Sequence, residues 1–188
     1  MRLLLATRNA HKVREFARLL DGVAVEALPD EVELPPETGS TYEENALIKA
    51  RAAAHATGRA AIADDSGVEA AALDGRPGVL SARFAGEAAG DAENLRKLIA
   101  EAPAGSGLQY VCALVYVSPE GAEQRFEGRC AGTMASQPRG EGGFGYDPVF
   151  LPGGEGSGRT MAELSDLEKD AISHRGAAVR ALRAWLAG

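Results

Sequence analysis

Two neighbouring carboxylates follow a short apolar segment and could form a hard-cation site. Asp64 and Asp65 come after residues 60–63 and precede Ser66 and Gly67. Carboxylates at the carboxyl end of a strand suit Mg²⁺, which binds through one or two carboxylates together with substrate phosphates. Successive strand residues point to opposite faces, so we expect one Asp to face the site and the other to hold a turn. An Asp-rich turn without a ligand is the alternative.

A second segment, Thr7-Arg8-Asn9-Ala10-His11-Lys12, has the features of a phosphate site. It lies between a predicted strand at residues 3–6 and a predicted helix at residues 12–20. Such a turn presents backbone N–H groups and the positive end of the helix dipole, and Lys12 adds a point charge. An ordinary turn with a solvated Lys12 is the alternative. The segment is not a P-loop, because the chain contains no Gly-Lys pair.

A third candidate lies on the next predicted helix. Asn45 and Lys49 are four residues apart and share a face, Glu44 lies at its edge, and Glu37 precedes the helix in an acidic, Pro-rich loop. A solvated, favourably charged face is the alternative. The chain has 16 Arg and 36 Ala but only four Lys and three Asn, so this background favours a requirement for Asn45 and Lys49.

Two later segments suit recognition of a base. Residues 140–145 match GxGxxG, but they neither follow a strand nor open a helix, so we reject a dinucleotide-binding interpretation. Instead, the glycines let the backbone approach a ligand, and Phe144 or Tyr146 offers a ring on which a base can stack. Lys169 and Ser173-His174-Arg175 supply donors for carbonyl oxygens or phosphate, with a capped helix start and solvated charges as the alternative.

Strands and helices must position these groups. The pattern predicts a capping box at residues 40–43 before a helix that ends at residue 57, and an N-cap at Ser173 for the final helix. Mixed crossover and hairpin connections indicate an α/β or α+β domain. Besides the strand and helix already given, we predict strands at residues 23–28, 60–63, 68–73, 108–117, 123–131 and 149–151, and a helix at 91–100.

Composition excludes several classes of protein. A length of 188 residues predicts one domain, and a net charge of -7 argues against a DNA or RNA polymer as partner. Cys112 and Cys130 are predicted to be buried free thiols in a reducing compartment. The start of the chain has too short an apolar run for a signal peptide, and no apolar stretch is long enough for a transmembrane helix. We therefore expect a cytoplasmic protein that does not associate with a membrane.

Taken together, the motifs resemble the inosine/xanthosine triphosphate pyrophosphatase family across nearly the whole chain. The resemblance implies Mg²⁺-dependent hydrolysis of ITP, dITP and XTP to nucleoside monophosphate and pyrophosphate by a homodimer, which keeps deaminated purines out of the nucleotide pool. It also implies an elongated α/β fold, a single domain over residues 1–188 with two lobes around a central mixed sheet and the active site in the cleft between them. The motifs are residues 7–12, 44–46 with 49–50, 64–67, 75–78 with 81–83, 143–148, 161–164 and 173–175.

The same resemblance implies roles for individual residues. It implies that Asp65 is the general base and a Mg²⁺ ligand, with Ser66 beside the substrate. Some relatives place a metal-binding Glu where this chain has Pro36, so Glu37 is the expected second ligand and Glu44 the alternative. The triphosphate is expected on Thr7, Arg8, Asn9, Ala10, His11 and Lys12, the purine on Phe144 with Gly145, Tyr146 and Asp147, and the base edge on Lys169, His174 and Arg175.

Two competing functions stay open from sequence. One is a nucleotide pyrophosphatase of related fold that acts on pyrimidine or modified nucleotides. The other is a nucleotide-binding module without catalysis. Retention of Lys12, Asp65 and Ser66 speaks against the module, because binding alone needs no general base.

Overall fold

The computed structural model describes residues 2–154 and 156–188. Its elements are β1 (Arg2–Leu5), α1 (Ala10–Leu19), β2 (Ala24–Ala27), α2 (Tyr42–Thr57), β3 (Ala61–Ala70), α3 (Asp91–Glu101), β4 (Gly107–Val117), β5 (Glu123–Met134), β6 (Phe150–Pro152), α4 (Asp166–Ile172) and α5 (His174–Ala187), with short 3₁₀ turns between some of them.

The strands form one mixed sheet in the order β2-β1-β3-β4-β5-β6. β1 is parallel to both β2 and β3, whereas β5 is antiparallel to β6. β4 and β5 are neighbours joined by residues 118–122, a connection too short for a parallel pair, and they form the predicted hairpin. The predicted α/β class with a mixed sheet is therefore confirmed.

The chain divides into two compact units. The first unit comprises Met1–Asp65, Cys112–Gly128 and Ala177–Gly188, and the second comprises Ser66–Val111 and Arg129–Gly176. In the first unit, Leu4 of β1 packs with Ala46 and Ala50 of α2, and Leu5 packs with Phe16 of α1. Tyr110, Phe150, Leu98 and Met161 belong to the core of the second unit. Each unit thus buries its own apolar side chains.

Helix α2 carries two of the candidate polar residues and has a well-defined start and end. Thr41 accepts a hydrogen bond from the Glu44 N–H, and the Glu44 carboxylate accepts one from the Thr41 N–H. This capping box lies one residue later than the predicted one, because Tyr42 is the first helical residue. Gly58, in the left-handed conformation, ends the helix as predicted.

The predicted break at the paired Asp residues is wrong. β3 continues from Ala61 to Ala70 through Asp64, Asp65, Ser66 and Gly67, so neither Asp holds a turn. Both carboxylates are buried and have side-chain partners far away in sequence. These tertiary partners satisfy the polar groups that otherwise favour a turn, so the backbone stays extended.

The carboxyl-terminal part contains one helix that the sequence analysis missed. α4 begins at Asp166 with a capping box between Ser165 and Glu168. Ser173 then accepts a hydrogen bond from the Gly176 N–H at 3.0 Å, which confirms it as the N-cap of α5. Lys169 and His174 therefore lie on two consecutive short segments, α4 and α5.

The prediction that both cysteines are buried free thiols is confirmed, and one membrane prediction can be tested. Cys112 and Cys130 are buried free thiols, and burial raises the pKa of Cys130 to about 11. Across residues 2–154 and 156–188, none of the helices combines the length and apolar content needed to span a bilayer.

Candidate active site

The paired carboxylates of β3 lie among buried polar groups of the first unit. Asp64 Oδ2 forms an ion pair with Lys12 Nζ at 2.9 Å. Asp65 Oδ2 accepts a hydrogen bond from Asn45 Nδ2 at 3.0 Å. The adjacent Asp residues thus have different side-chain partners, as the alternation of a strand requires.

Lys49 connects the two carboxylates to the loop before α2. Its Nζ donates to the backbone oxygen of Asp64 at 2.7 Å and pairs with Glu37 Oε1 at 2.5 Å. Burial disfavours the ammonium, but the charges of Asp64, Glu37 and Asp65 outweigh this penalty and raise the pKa of Lys49. Lys49 is therefore a fixed positive charge.

Asp65 is a stronger base than an exposed aspartate. Burial raises its pKa, and the charge of Glu37 adds to the rise. Lys49, Lys12 and the Asn45 hydrogen bond oppose the shift without cancelling it. A carboxylate with a raised pKa accepts a proton more readily, which suits a general base.

Asn9 organises the start of α1. Its Oδ1 accepts hydrogen bonds from the N–H groups of His11 and Lys12 at 2.9 and 3.2 Å, and its own N–H donates to Thr7 Oγ1 at 3.2 Å. Two of the N–H groups predicted to face a phosphate instead cap the helix through Asn9. Ala10 and His11 are exposed beside them.

Arg8 supports the segment that leads to Glu37. Its guanidinium donates to the backbone oxygens of Leu28, Pro29 and Val32 at 2.8, 2.6 and 2.8 Å. With a further contact to the Asp30 oxygen at 3.3 Å, the Arg8 guanidinium binds four backbone carbonyls of this loop in the first unit. The predicted contact of Arg8 with a triphosphate stays a prediction.

The two candidate second metal ligands differ in their surroundings. Glu44 Oε2 accepts hydrogen bonds from the Ser40 N–H and hydroxyl and from the Thr41 N–H. The Ser40 hydrogen bonds, followed by that of Thr41, lower the pKa of Glu44. Glu37 instead lies near enough to Asp65 to raise its pKa by like-charge repulsion. Glu44 thus caps α2, whereas the charge of Glu37 acts on Asp65.

The donor set suits a cation that the substrate helps to hold. Within the described part of the chain, no three His, Cys, Asp or Glu side chains cluster to bind a metal by themselves. Mg²⁺ needs fewer protein ligands, because waters and substrate phosphates complete its octahedron. The two mutually repelling carboxylates, Glu37 and Asp65, fit that requirement, since a divalent cation would relieve their repulsion.

Asp147 is the centre of a separate polar cluster in the second unit. Its Oδ2 accepts from Lys169 Nζ at 2.7 Å and from the Phe144 N–H at 2.9 Å. Its Oδ1 accepts from the Tyr110 hydroxyl at 3.0 Å. Asp147, Lys169 and Tyr110 are all buried, so this network fixes the Lys169 ammonium next to the Phe144 backbone.

The half-exposed ring of Phe144 lies close to two cations. Lys169 Nζ is 5.2 Å and the Arg175 guanidinium carbon 5.1 Å from its centroid. Both distances are within the range of cation–π attraction. An aromatic face flanked by two donors is the arrangement expected for stacking and reading a base.

Backbone contacts hold the Phe144 segment. Gly143 and Gly145 have φ values of +69° and +62°, which favour glycine, and the Gly145 N–H donates to Asp91 Oδ2 at 3.1 Å. The Tyr146 hydroxyl donates to the backbone oxygen of Ser81 at 2.7 Å. Tyr146 is buried, so its side chain anchors the Phe144 segment to the core of the second unit.

His174 is held in a stack of three rings. The Tyr110 ring lies 4.6 Å from His174 at 16° and 4.3 Å from Phe150 at 18°. Burial, followed by the charge of Asp147, raises the pKa of Tyr110 well above its ordinary value, so its hydroxyl stays protonated as a donor. Nearly parallel stacking sets the plane of the buried His174 imidazole.

The predicted site residues fall into two groups according to the two units. Ser66, half-buried, is the first residue of the second unit and follows Asp65 directly in β3. The first unit contains Thr7, Arg8, Asn9, Ala10, His11, Lys12, Glu37, Glu44 and Asp65, and the second contains Ser66, Phe144, Gly145, Tyr146, Asp147, Lys169, His174 and Arg175.

A family model described as the Ham1 family matches residues 3–185. The chain belongs to the Ham1 family. The resemblance drawn from the motifs is thereby confirmed, and it extends over almost the whole sequence.

Individual Ham1 relatives and structures support the same assignment. A protein of Mycobacterium tuberculosis (strain ATCC 25618 / H37Rv) named dITP/XTP pyrophosphatase is 50% identical over 192 residues, which cover 96% of this chain and 93% of the relative. A HAM1 protein structure from Coxiella burnetii has a TM-score of 0.87 at 40% identity and covers 100% of this chain and 98% of that one. The structure of a nucleoside-triphosphatase / dITP/XTP pyrophosphatase from Mycobacterium abscessus has a TM-score of 0.75 at 48% identity, with 99% of each chain covered.

Parts of the site in this Ham1 chain were not predicted from the residue pattern. Asn45 and Lys49 stood out by their scarcity but received no role, and Asp91 and Tyr110 were not singled out. A signal for Tyr110 existed, because a tyrosine within the apolar β4 needs a partner for its hydroxyl. No comparable signal marks Asp91, an ordinary acidic residue in the first turn of α3.

Proposed function

We propose that this chain hydrolyses non-standard purine nucleoside triphosphates, namely ITP, dITP and XTP, to the nucleoside monophosphate and pyrophosphate. The observation that carries the proposal is the buried Asp65, a carboxylate of raised pKa placed between Asn45 and the Lys12 and Lys49 charges. The Mycobacterium tuberculosis relative named dITP/XTP pyrophosphatase supports the choice of substrate.

In the proposed reaction, water attacks the α-phosphorus. The water oxygen forms the new bond to phosphorus, and the bond from phosphorus to the oxygen that bridges the α- and β-phosphates breaks. Asp65 accepts the water proton, and pyrophosphate leaves with the electron pair of the broken bond. Such chemistry depends mainly on positioning and charge neutralisation, because little covalent work falls to the protein.

The first unit supplies the charges for this step. Lys12 and Lys49 are cations with their ammonium groups against Asp64, and residues 7–12 are the proposed triphosphate segment. Asp65 and Glu37 are the proposed ligands of Mg²⁺, which when bound neutralises phosphate charge and lowers the pKa of a coordinated water. Glu44 stays the less favoured alternative because its carboxylate caps α2.

The second unit supplies the proposed discrimination between bases. Phe144 stacks on the purine, and donors from Lys169, His174 and Arg175 favour the 6-carbonyl of hypoxanthine and xanthine over the 6-amino group of adenine. A buried donor left unpaired costs about 1–3 kcal/mol, or roughly tenfold to a hundredfold in efficiency for each contact. Guanine shares the 6-carbonyl, so its rejection must involve the 2-amino group.

A pyrophosphate-release assay with ITP, dITP, XTP, GTP, ATP and a pyrimidine triphosphate, with and without Mg²⁺, tests the proposal. We expect release from the first three, at least tenfold faster than from ATP, and only with Mg²⁺. Equal efficiency on ITP and ATP would refute the assignment of the base-edge residues. Preference for a pyrimidine favours the competing pyrophosphatase, and binding without release favours the non-catalytic module.

Asp65→Asn separates catalysis from folding. We expect it to remove most turnover and to raise the melting temperature, because a folded-state pKa above the ordinary value means that the ionised carboxylate costs stability at neutral pH. Asp21→Asn, at an exposed position, is the control and should change neither quantity. Near-normal turnover in Asp65→Asn would contradict the role of general base. Location in the cytoplasm and a homodimer stay predictions, and light scattering tests the dimer.

A further inference from the structure

Tyr110 contacts Asp147 and His174, of which His174 is a proposed reader of the base edge and Asp147 holds another, Lys169. It lies in β4, is buried, and belongs to the second unit together with α4 and the start of α5. Its hydroxyl reaches Asp147 and its ring stacks on His174. Neither the motifs nor the proposed reaction gives this residue a role.

The hydroxyl acts on Lys169 through Asp147. Tyr110 donates to Asp147 Oδ1 at 3.0 Å, which leaves Oδ2 to accept from Lys169 Nζ at 2.7 Å and from the Phe144 N–H at 2.9 Å. A carboxylate held by donors on both oxygens has a fixed orientation, and so do the donors attached to it. Loss of the hydroxyl would let Asp147 rotate and carry the ammonium and the Phe144 backbone with it.

The ring acts on His174 directly. Phe150 lies behind Tyr110 at 4.3 Å, and His174 lies in front at 4.6 Å, with interplanar angles of 18° and 16°. A ring supported from behind by core packing cannot tilt, so the imidazole stacked on it keeps its plane. One side chain therefore sets the positions of donors on two different helices.

We propose that Tyr110 is a positioning residue that sets the preference for 6-carbonyl purines, acting through Asp147 on Lys169 and through ring stacking on His174. The inference rests on the proposed function. It predicts that Tyr110 governs the KM of ITP rather than the rate of bond cleavage, because its described side-chain contacts are with Asp147, Phe150 and His174 of the second unit, whereas Asp65 belongs to the first.

The test compares Tyr110→Phe with Tyr110→Leu and the wild-type enzyme on ITP and ATP in the presence of Mg²⁺. Tyr110→Phe keeps the ring and removes the hydroxyl. We expect it to raise the KM of ITP about fivefold to tenfold, because one hydrogen bond to a charged group is lost and only part of its effect reaches the substrate. The kcat should stay within about twofold, and the ITP-to-ATP ratio of kcat/KM should fall accordingly. Tyr110→Leu also removes the stack and should lower that ratio further.

The matched control is Tyr116→Phe, in the same strand. Tyr116 is half-buried in the first unit, and its ring contacts Trp185 with centroids 5.0 Å apart. We expect this variant to keep both the KM of ITP and the substrate ratio of the wild type. Merely structural damage lowers the active fraction, and hence kcat, without changing KM.

Three outcomes would overturn the inference. If Tyr110→Phe keeps a KM of ITP within twofold of wild type, the inference is wrong and the proposed function is unaffected. The same holds if Tyr110→Phe lowers only kcat. A wild-type enzyme that releases no pyrophosphate from ITP, dITP or XTP removes the proposed function, and the inference with it. If Tyr110→Leu does not fold, Tyr110→Phe still decides, because it conserves the packed ring.

Discussion

Replacement of Lys169 by Met tests whether the buried pair with Asp147 carries the geometry of the second unit. The two side chains are 5% and 4% exposed, and Lys169 Nζ lies 2.7 Å from Asp147 Oδ2. Removal of one partner from a buried ion pair costs about 3–5 kcal/mol, because the other charge stays buried without compensation. Tyr110 and the Phe144 N–H still donate to Asp147, so we expect a loss near 3 kcal/mol, the lower end of this range.

This loss translates into a measurable melting temperature. At about 2.1 cal/mol/K per residue, a chain of this length has an unfolding entropy of about 0.4 kcal/mol/K, so ~3 kcal/mol lowers the melting temperature by about 8 °C. Differential scanning calorimetry without nucleotide measures this shift. Arg76→Met is the control, because Arg76 pairs with Glu101 at 3.6 Å with side chains 61% and 34% exposed. Its loss should stay below about 1 kcal/mol, or roughly 2–3 °C.

A double variant tests whether the side chains of Lys169 and Asp147 are coupled. Lys169→Met with Asp147→Asn removes both charges and keeps a side-chain oxygen that can accept from Tyr110 or the Phe144 N–H, so it should recover part of the stability that Lys169→Met loses. A loss of about 3 °C is roughly the most that an exposed ion pair can account for. If Lys169→Met melts within 3 °C of Arg76→Met, the Lys169–Asp147 pair is therefore not buried in solution. If the losses of the two single variants add up to the loss of the double variant, the two side chains are not coupled.

Two further predictions concern the Phe144 segment and α4. Gly143→Ala should lower stability and the affinity for ITP more than Gly145→Ala. A Cβ at residue 143 meets the Asp147 carboxylate, whereas one at residue 145 meets nothing within 4 Å. Both positions have a left-handed backbone, so its cost of about 1–2 kcal/mol is common to the two variants. Equal losses in the two variants would contradict the close contact. The Arg159 hydrogen bond, followed by those of Ser165, lowers the pKa of Glu168 from 4.5 to about 2, so its contribution to stability is present above pH 4.5 and is lost as the pH falls toward 2. In urea titrations, Glu168→Gln should therefore lose less unfolding free energy than the wild type as the pH falls through this window. An equal loss in the two proteins would show that Glu168 does not titrate in this way.

Elements with local signals were predictable from sequence. α2 has a Ser/Thr-x-x-Glu start and a glycine at its end, and both cues lie within the segment itself. The hairpin of β4 and β5 has a short polar turn between two apolar runs. α4 carried a similar cue in Ser165 and Glu168, but its seven residues form too short a pattern for periodicity to indicate a helix.

β3 shows why local cues fail at the candidate site. Asp-Asp-Ser-Gly is typical of a turn, and the strand persists there because Lys12 and Asn45 meet the carboxylates from other elements. The partners lie 52 and 20 residues away in sequence, so no local pattern contains them. The residue types of the site were predictable, whereas their pairing was not.

The scarcity of lysine in the sequence marked residues that take part in these pairings, although it did not identify their partners. Three of the four Lys, at positions 12, 49 and 169, have side chains only 12%, 8% and 5% exposed and pair with carboxylates, whereas Lys97 is 39% exposed. Arg is four times as frequent here, but its planar guanidinium has five donors, so burying an Arg, as at Arg175, requires more partners than burying a Lys. The compact ammonium of Lys needs only three, and at Lys49 one carbonyl and one carboxylate supply two of them. A buried point charge therefore explains why lysine stands at these positions in an Arg-rich chain.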